Sequence, residues 1–280
     1  FDFSMPDGSR KDRSGEFVDG YQQLGLDALI GIGGDGSLKL LSRLSAKGAI
    51  GFVGIPKTID NDVALTEFAV GFSTSVEVAT EALDRLLSTA VSHHRVMILE
   101  VMGRDAGHIA ISAGLAGGAD IILIPEVPYT EQGVFDKIQS LEGRGQQHAL
   151  VVVAEGVKPP GRVGASGEHR GIGHYLSNVI ASQIAADVRV TVLGHVHRGG
   201  APCAQDRMLA QTFGTRAVDL VAEGKFDRMV AWRERGVIDV ALDDVVAFGE
   251  RKVLADGTYV RAARGLGVYV GEEGSGGLNP

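Results

Sequence analysis

Two stretches of this chain combine glycines, carboxylates and a lysine at spacings suited to phosphate chemistry: Gly31-Ile32-Gly33-Gly34-Asp35-Gly36-Ser37 and Pro56-Lys57-Thr58-Ile59-Asp60-Asn61-Asp62. Glycine has no Cβ, so a backbone can close tightly on a phosphate there. The neighbouring acids cannot bind an anion, but they can hold Mg2+ or take a proton from a hydroxyl. A phosphate cradle, a metal carboxylate and a candidate base together describe phosphoryl transfer from a polyphosphate donor. Gly and Asp also serve ordinary βα turns by capping helices. The second stretch, following the first at about the spacing of one βα unit, is what favours chemistry over turn geometry.

Both stretches follow apolar runs that read as buried strands, Ala28-Leu29-Ile30 and Ile50-Gly51-Phe52-Val53-Gly54-Ile55. The pattern continues along the chain. Residues 38–46, 76–91, 110–116, 130–141, 175–186 and 207–223 have helical spacing, with Thr130 as an N-cap. Residues 95–101, 120–124, 149–154 and 188–193 read as strands. Strands alternating with helices predict a mostly parallel α/β sheet buried on both faces. Residues 159–167 are expected to form a Pro/Gly-rich loop, and 271–280 a disordered tail.

Composition limits the possibilities. Of 280 residues, 44% are apolar, enough for one large domain or two modest ones. A net charge of −8 argues against an extended nucleic-acid surface, so a small anion must be met by a local arginine cluster. The single Cys203 excludes an intramolecular disulfide and suits a reducing cytoplasm. No apolar run reaches membrane-spanning length, so no membrane partner is expected.

Further polar groups follow other strands. Met102-Gly103-Arg104-Asp105-Ala106-Gly107-His108 opens a helix, whose N-terminus attracts anions, and Arg104 would add a guanidinium. Leu193-Gly194-His195-Val196-His197-Arg198-Gly199-Gly200 offers a His-x-His pair. Such a pair can bind metal, but the cysteine or carboxylate ligands expected of zinc are wanting nearby. With Arg198 adjacent, a phosphate or sugar-hydroxyl role is the better reading. Glu155 ends the apolar strand 149–154, where parallel sheets place ligands.

Taken together, these segments resemble the 6-phosphofructokinases. The resemblance rests on GGDGS at 33–37, PKTIDND at 56–62, SHHR at 92–95, MGRDAGH at 102–108, PEVPY at 125–129, AEG at 154–156, LGHVHRGG at 193–200 and QDR at 205–207, and runs from about Leu24 to Arg264. It implies two Rossmann-like three-layer α/β/α domains with mostly parallel sheets. Residues 1–70 with about 197–245 would bind the donor, and 71–196 with about 246–280 would bind fructose 6-phosphate.

The resemblance also implies roles. Asp35 would hold the Mg2+ of ATP, while Gly34, Gly36, Ser37 and Lys57 meet the donor. Asp60 would take the proton of the sugar 1-hydroxyl, helped by Thr58, Asp62 and Arg104. Met102, Gly103, Arg104 and Glu155 would grip the sugar, with His195 and Arg198 on its 6-phosphate. Arg95 and Arg189 would reach a neighbouring subunit's sugar site, implying a cytoplasmic homodimer or homotetramer. Gly36 favours ATP as donor, while Lys57 is shared with pyrophosphate-dependent relatives. A pyrophosphate-dependent phosphotransferase, a non-catalytic sugar-phosphate-binding paralogue, and a relative that turns the GGDG motif on NAD or a lipid are the alternatives.

The sequence departs from the family in two ways. The strand and Pro-Gly-x-Asn loop with which phosphofructokinases begin are expected ahead of Phe1. The chain is therefore expected to be incomplete, with apolar surface and unpaired strand edges exposed and little activity by itself. His197 stands where the family usually has Gln, and is read as a tolerated variant.

Overall fold

The computed structural model describes residues 2–4, 7–161 and 171–272. They fall into two compact units: the described residues within 1–58, 63–70 and 207–250 form one, and those within 59–62, 71–206 and 251–280 form the other.

The first unit opens with an antiparallel pair, β1 (Asp2–Ser4) and β2 (Arg10–Asp12), followed by α1 (Ser14–Gln23). Its sheet is built from β3 (Leu29–Gly33), β4 (Phe52–Thr58), the short β5 (Val70–Gly71), β10 (Arg228–Arg233) and β11 (Gly236–Ala241). The strand order is β11-β10-β4-β3, with β5 on β4. β3 and β10 run parallel to β4, and β11 is antiparallel to β10.

Strand periodicity sorts the core of this unit into two halves. Phe52, Met229 and Ala231 point to one face and pack with Leu38 of α2 (Asp35–Gly48) and with Leu242 and Val245 of α8 (Leu242–Phe248). Val53, Ile55 and Val230 point to the other, against Leu209, Phe213, Ala217 and Leu220 of α7 (Ala204–Ala222). A sheet apolar on both faces requires a helical layer on each. β3 ends the strand order, and its Ile32 is 62% exposed.

The second unit holds β6 (Arg95–Val101), β7 (Ile121–Leu123), β8 (Ala149–Ala154) and β9 (Asp187–Val192), all parallel, in the order β7-β8-β6-β9. The register places Leu99, Val152 and Ile122 in one row. Ile122 meets Gly114 of α4 (His108–Ala116), which packs beside α3 (Phe72–His93). Glu100 faces the other way, toward α6 (Ile172–Gln183), which packs beside α5 (Glu131–Gly143). α9 (Thr258–Gly265) packs on α4.

The mostly parallel α/β class read from the sequence is the class observed. Thr130 caps α5 as expected, its Oγ1 accepting the Gly133 N–H at 3.0 Å. The helix read over 175–186 instead spans Ile172–Gln183, because Ile184 is already extended on the way to β9. The β10–β11 hairpin was not anticipated. The Pro/Gly-rich loop lies outside the described residues from 162 to 167, as does the tail from 273 onward. Among the described residues, no helix is long and apolar enough to cross a membrane.

Candidate active site

In the first unit the GGDGS turn is the junction of β3 and α2. Gly34 is the N-cap in extended conformation, so Asp35, Gly36 and Ser37 form the first helical turn. The first intrahelical bond is Leu38 N–H to the Gly34 carbonyl, at 2.9 Å. No side chain caps this end, so its leading amides point outward as anion donors. Lys57 and Thr58 end the neighbouring β4, since Gly33 pairs with Pro56 in the parallel register. A Cβ on Gly33 would strike the Cβ of Ser37 at 2.5 Å, so only glycine lets the helix start this close to the strand.

Asp35 is half-buried at this turn. Among the described residues, no group of three or more His, Cys, Asp or Glu side chains could hold a metal ion. One carboxylate beside uncapped amides nonetheless fits Mg2+ carried in with a polyphosphate, because Mg2+ draws most of its oxygens from phosphate and water.

In the second unit Asp60 sits in a field set by several segments. Burial pushes its carboxyl up to about 6, with Asp62 adding to the rise, Arg198 opposing it, and Glu155 and Asp105 contributing further repulsion. A carboxylate poised near neutrality suits a general base. The loop that carries it is held by Arg251, whose guanidinium donates to the Asn61 carbonyl and whose backbone N–H donates to the Asp62 carbonyl at 2.7 Å.

Met102, Gly103 and Arg104 follow the end of β6. Gly103 has φ +132, a conformation that favours glycine, and its carbonyl accepts the Gly156 N–H at 3.1 Å. A Cβ on Gly156 would stand 1.9 Å from the Arg104 carbonyl oxygen, so the two backbones lie in contact and Glu155 emerges beside Arg104. The Arg104 side chain is 84% exposed and pairs with Asp105. A cavity of about 390 Å3 opens here, lined by Arg104, Asp105, Pro128, Tyr129, Gly156 and Lys158.

The opening of α4 differs from expectation. The N–H of its N-cap Gly107 is taken by both carboxylate oxygens of Glu126, at 3.0 and 3.1 Å. Part of the anion-attracting set is therefore satisfied by the protein itself.

His195 and Arg198 lie on a 3-10 turn, Gly194–Arg198, after β9. His195 is exposed and His197 buried, so the two do not share a face as a metal-binding pair would. Arg95 and Arg189 lie elsewhere. Arg95 opens β6 and Met102 follows its other end, about 20 Å away at the rise of a strand. Both arginines pair with the Asp187 carboxylate, at 2.7 and 3.0 Å, which holds that carboxyl below its usual range.

Comparison with known proteins places this chain in a family. Residues 4–221 match the family model described as "Phosphofructokinase". The chain belongs to the phosphofructokinase family.

Curated relatives agree. The protein named ATP-dependent 6-phosphofructokinase 1 of Synechocystis sp. is 54% identical, over 98% of this chain and 77% of its own length. Its namesake in Nostoc sp. is 53% identical, over 97% and 77%. Among solved structures, Pichia pastoris phosphofructokinase in the T-state superposes with a TM-score of 0.76 at 32% identity, over 87% of this chain and 30% of its own. A pyrophosphate-dependent phosphofructokinase from Marinobacter aquaeolei superposes with a TM-score of 0.75 at 25% identity, over 95% and 74%.

Three residues that hold the segments around these groups in place received no role from sequence reading. Glu126 ties α4 to the segment after residue 250, through the Val253 N–H at 2.9 Å. Asp206, 2% exposed, accepts the N–H groups of Gly71 and Thr74 at the start of α3. Arg251 holds the Asp60 loop. Glu126 and Asp206 stand inside quoted motifs without an assigned role, and Arg251 stands in none.

Proposed function

We propose that this chain transfers the terminal phosphoryl group of MgATP to the 1-hydroxyl of fructose 6-phosphate, giving fructose 1,6-bisphosphate and ADP in glycolysis. The observation that carries the reading is Asp60: a half-buried carboxylate raised to about 6, repelled by Asp62 and steadied by Arg198. The names of relatives at 52–54% identity support ATP as the donor.

In this reading Asp60 accepts the proton of the 1-hydroxyl as its oxygen bonds to the terminal phosphorus. The bond from that phosphorus to the bridging oxygen breaks, and ADP leaves with the electron pair. Asp35 would hold Mg2+, which neutralises charge on the donor phosphates when bound. The uncapped amides of α2, with Ser37 and Lys57, would meet donor oxygens, and Thr58 and Asp62 would position the reacting groups. Arg104 and Glu155 would orient the sugar beside Met102 and Gly103, with His195 and Arg198 on its 6-phosphate. Arg95 at the start of β6 and Arg189 on the adjacent β9 would serve the sugar site of a second copy in a cytoplasmic homodimer or homotetramer.

A coupled assay for fructose 1,6-bisphosphate, with MgATP and Mg-pyrophosphate supplied in parallel, tests both donor and reaction. Turnover should require fructose 6-phosphate and ATP. Asp60→Asn should reduce kcat by about 10²–10⁴-fold, the span of general-base catalysis. Full activity in that variant would defeat the assignment.

A further inference from the structure

The turn Gly194–Arg198 contains a buried group that the roles above leave unused. His197 is 1% exposed, and its Nδ1 accepts the backbone N–H of Met102 at 3.2 Å. An imidazole nitrogen accepts only when it carries no proton, so the proton of this ring sits on Nε2. Nε2 is buried and has no hydrogen-bond partner among the described residues. A buried donor left unpaired destabilises a fold, so an apolar side chain of similar shape would serve packing better. What the imidazole adds is the bond to Met102.

That bond joins two segments with a common purpose. On one side, the Met102–Arg104 backbone is already fixed by Gly156, through the Gly103 carbonyl and the close approach to Arg104. On the other, pairing of β9 with β6 continues to Leu193, whose N–H donates to the Glu100 carbonyl at 3.1 Å. Beyond Leu193 the chain turns away, and the His197–Met102 bond ties the turn to the loop.

We propose that His197 is a positioning residue of the sugar-phosphate site, locking the backbone of Met102–Arg104 to the turn that presents His195 and Arg198. The inference rests on the functional reading above. Burial supports it by holding the ring neutral, with a pKa lowered to about 4, so the accepting lone pair persists through the neutral range.

The test compares His197→Leu, which removes the acceptor, with His197→Asn, whose side-chain oxygen falls near the position of Nδ1. In steady-state assays His197→Leu should raise KM for fructose 6-phosphate about 10-fold or more, with KM for ATP nearly unchanged, and His197→Asn should restore most of the loss. An unchanged sugar KM in a folded Leu variant would overturn the proposal, as would equal loss in both variants. Should the Leu variant not fold, nitrogen NMR of the wild-type imidazole decides: a protonated Nε2 with an accepting Nδ1 is required, and the reverse tautomer refutes the idea. If the wild-type protein fails to phosphorylate fructose 6-phosphate, the functional reading has failed by itself. Hydrogen exchange at the Met102 amide, faster in the Leu than in the Asn variant, then still reports whether His197 holds this loop.

Discussion

Arg251 grips the carbonyl of Asn61 with two arms of its guanidinium, Nε at 3.1 Å and Nη2 at 2.8 Å. Asn61 is buried in the left-handed region at φ 53, between Asp60 and Asp62. The carbonyl of Arg251 in turn meets Nε2 of His108, at 3.1 Å, on the first turn of α4. The contact therefore fixes the loop that carries the candidate base to the helix that follows the Arg104 loop. Arg251→Met should lower kcat by about 10²-fold through misplacement of Asp60 alone. Arg251→Lys, which keeps the charge but loses the fork, should fall between. Wild-type turnover in both variants, with circular dichroism unchanged, would show that the loop needs no clamp.

The raised carboxyl of Asp60 is also a statement about stability. Its folded-state value of about 6 lies above the ordinary aspartate value, so the folded state holds the proton more tightly than the unfolded chain does. The fold is then least favoured once Asp60 is ionised, above pH 6, and the penalty disappears below the ordinary carboxylate range. Asp60→Asn removes the ionisation while keeping the shape. Its melting temperature should exceed wild type at pH 8, and the gain should shrink to nothing near pH 3. A destabilised variant at pH 8 would mean that Arg198 and the loop bonds outweigh burial.

The same ionisation should govern the rate. With Asp60 as base, kcat should rise with pH through about 6 and level off above it. The second ionisation of a sugar phosphate falls nearby, so the limb alone does not identify the group. Arg198 lowers the Asp60 pKa, and Arg198→Ala should therefore move the limb of kcat to higher pH. A limb that stays in place assigns the ionisation to the substrate.

How far sequence carried depended on whether the signal was local. β6 and β8 have the bounds read from the sequence, 95–101 and 149–154, because strands buried on both faces show as apolar runs, all six residues in β8 and Val96–Leu99 in β6. The GGDGS turn was legible because a glycine N-cap and an acidic first turn are written in adjacent residues. The β10–β11 hairpin was not. Its two-residue loop is Glu234-Arg235, both at positive φ, where Asn-Gly or Asp-Gly would have signalled the turn. Arg251, Glu126 and Asp206 were missed for a different reason. Each works through backbone groups 19 to 190 residues away, and such bonds leave no motif.

Donor choice can be probed at Gly36. A Cβ added there meets nothing within 4 Å, so the protein has room for a side chain on the first turn of α2. Gly36→Asp should therefore fold normally while placing a carboxylate beside the amides that would receive donor phosphates. Turnover with ATP should fall by about 10-fold or more, the scale of one close like-charge contact in a desolvated site. Turnover with pyrophosphate should suffer less. Unchanged ATP kinetics would place the donor phosphates away from this turn.

Asp206 offers a test of architecture rather than chemistry. Its carboxylate accepts the N–H groups of Gly71 at 3.0 Å and Thr74 at 2.8 Å, and also meets the Thr74 hydroxyl. It thereby caps α3 from a position far along the chain, doing what no residue of the helix's own start does. Asp206→Ala leaves those half-buried donors without this acceptor, which should cost about 1–2 kcal/mol. Asp206→Asn retains one accepting oxygen and should lose about half as much. Thermal unfolding of the two variants checks the order, and an Ala variant as stable as wild type would mean that other groups can take over the start of α3.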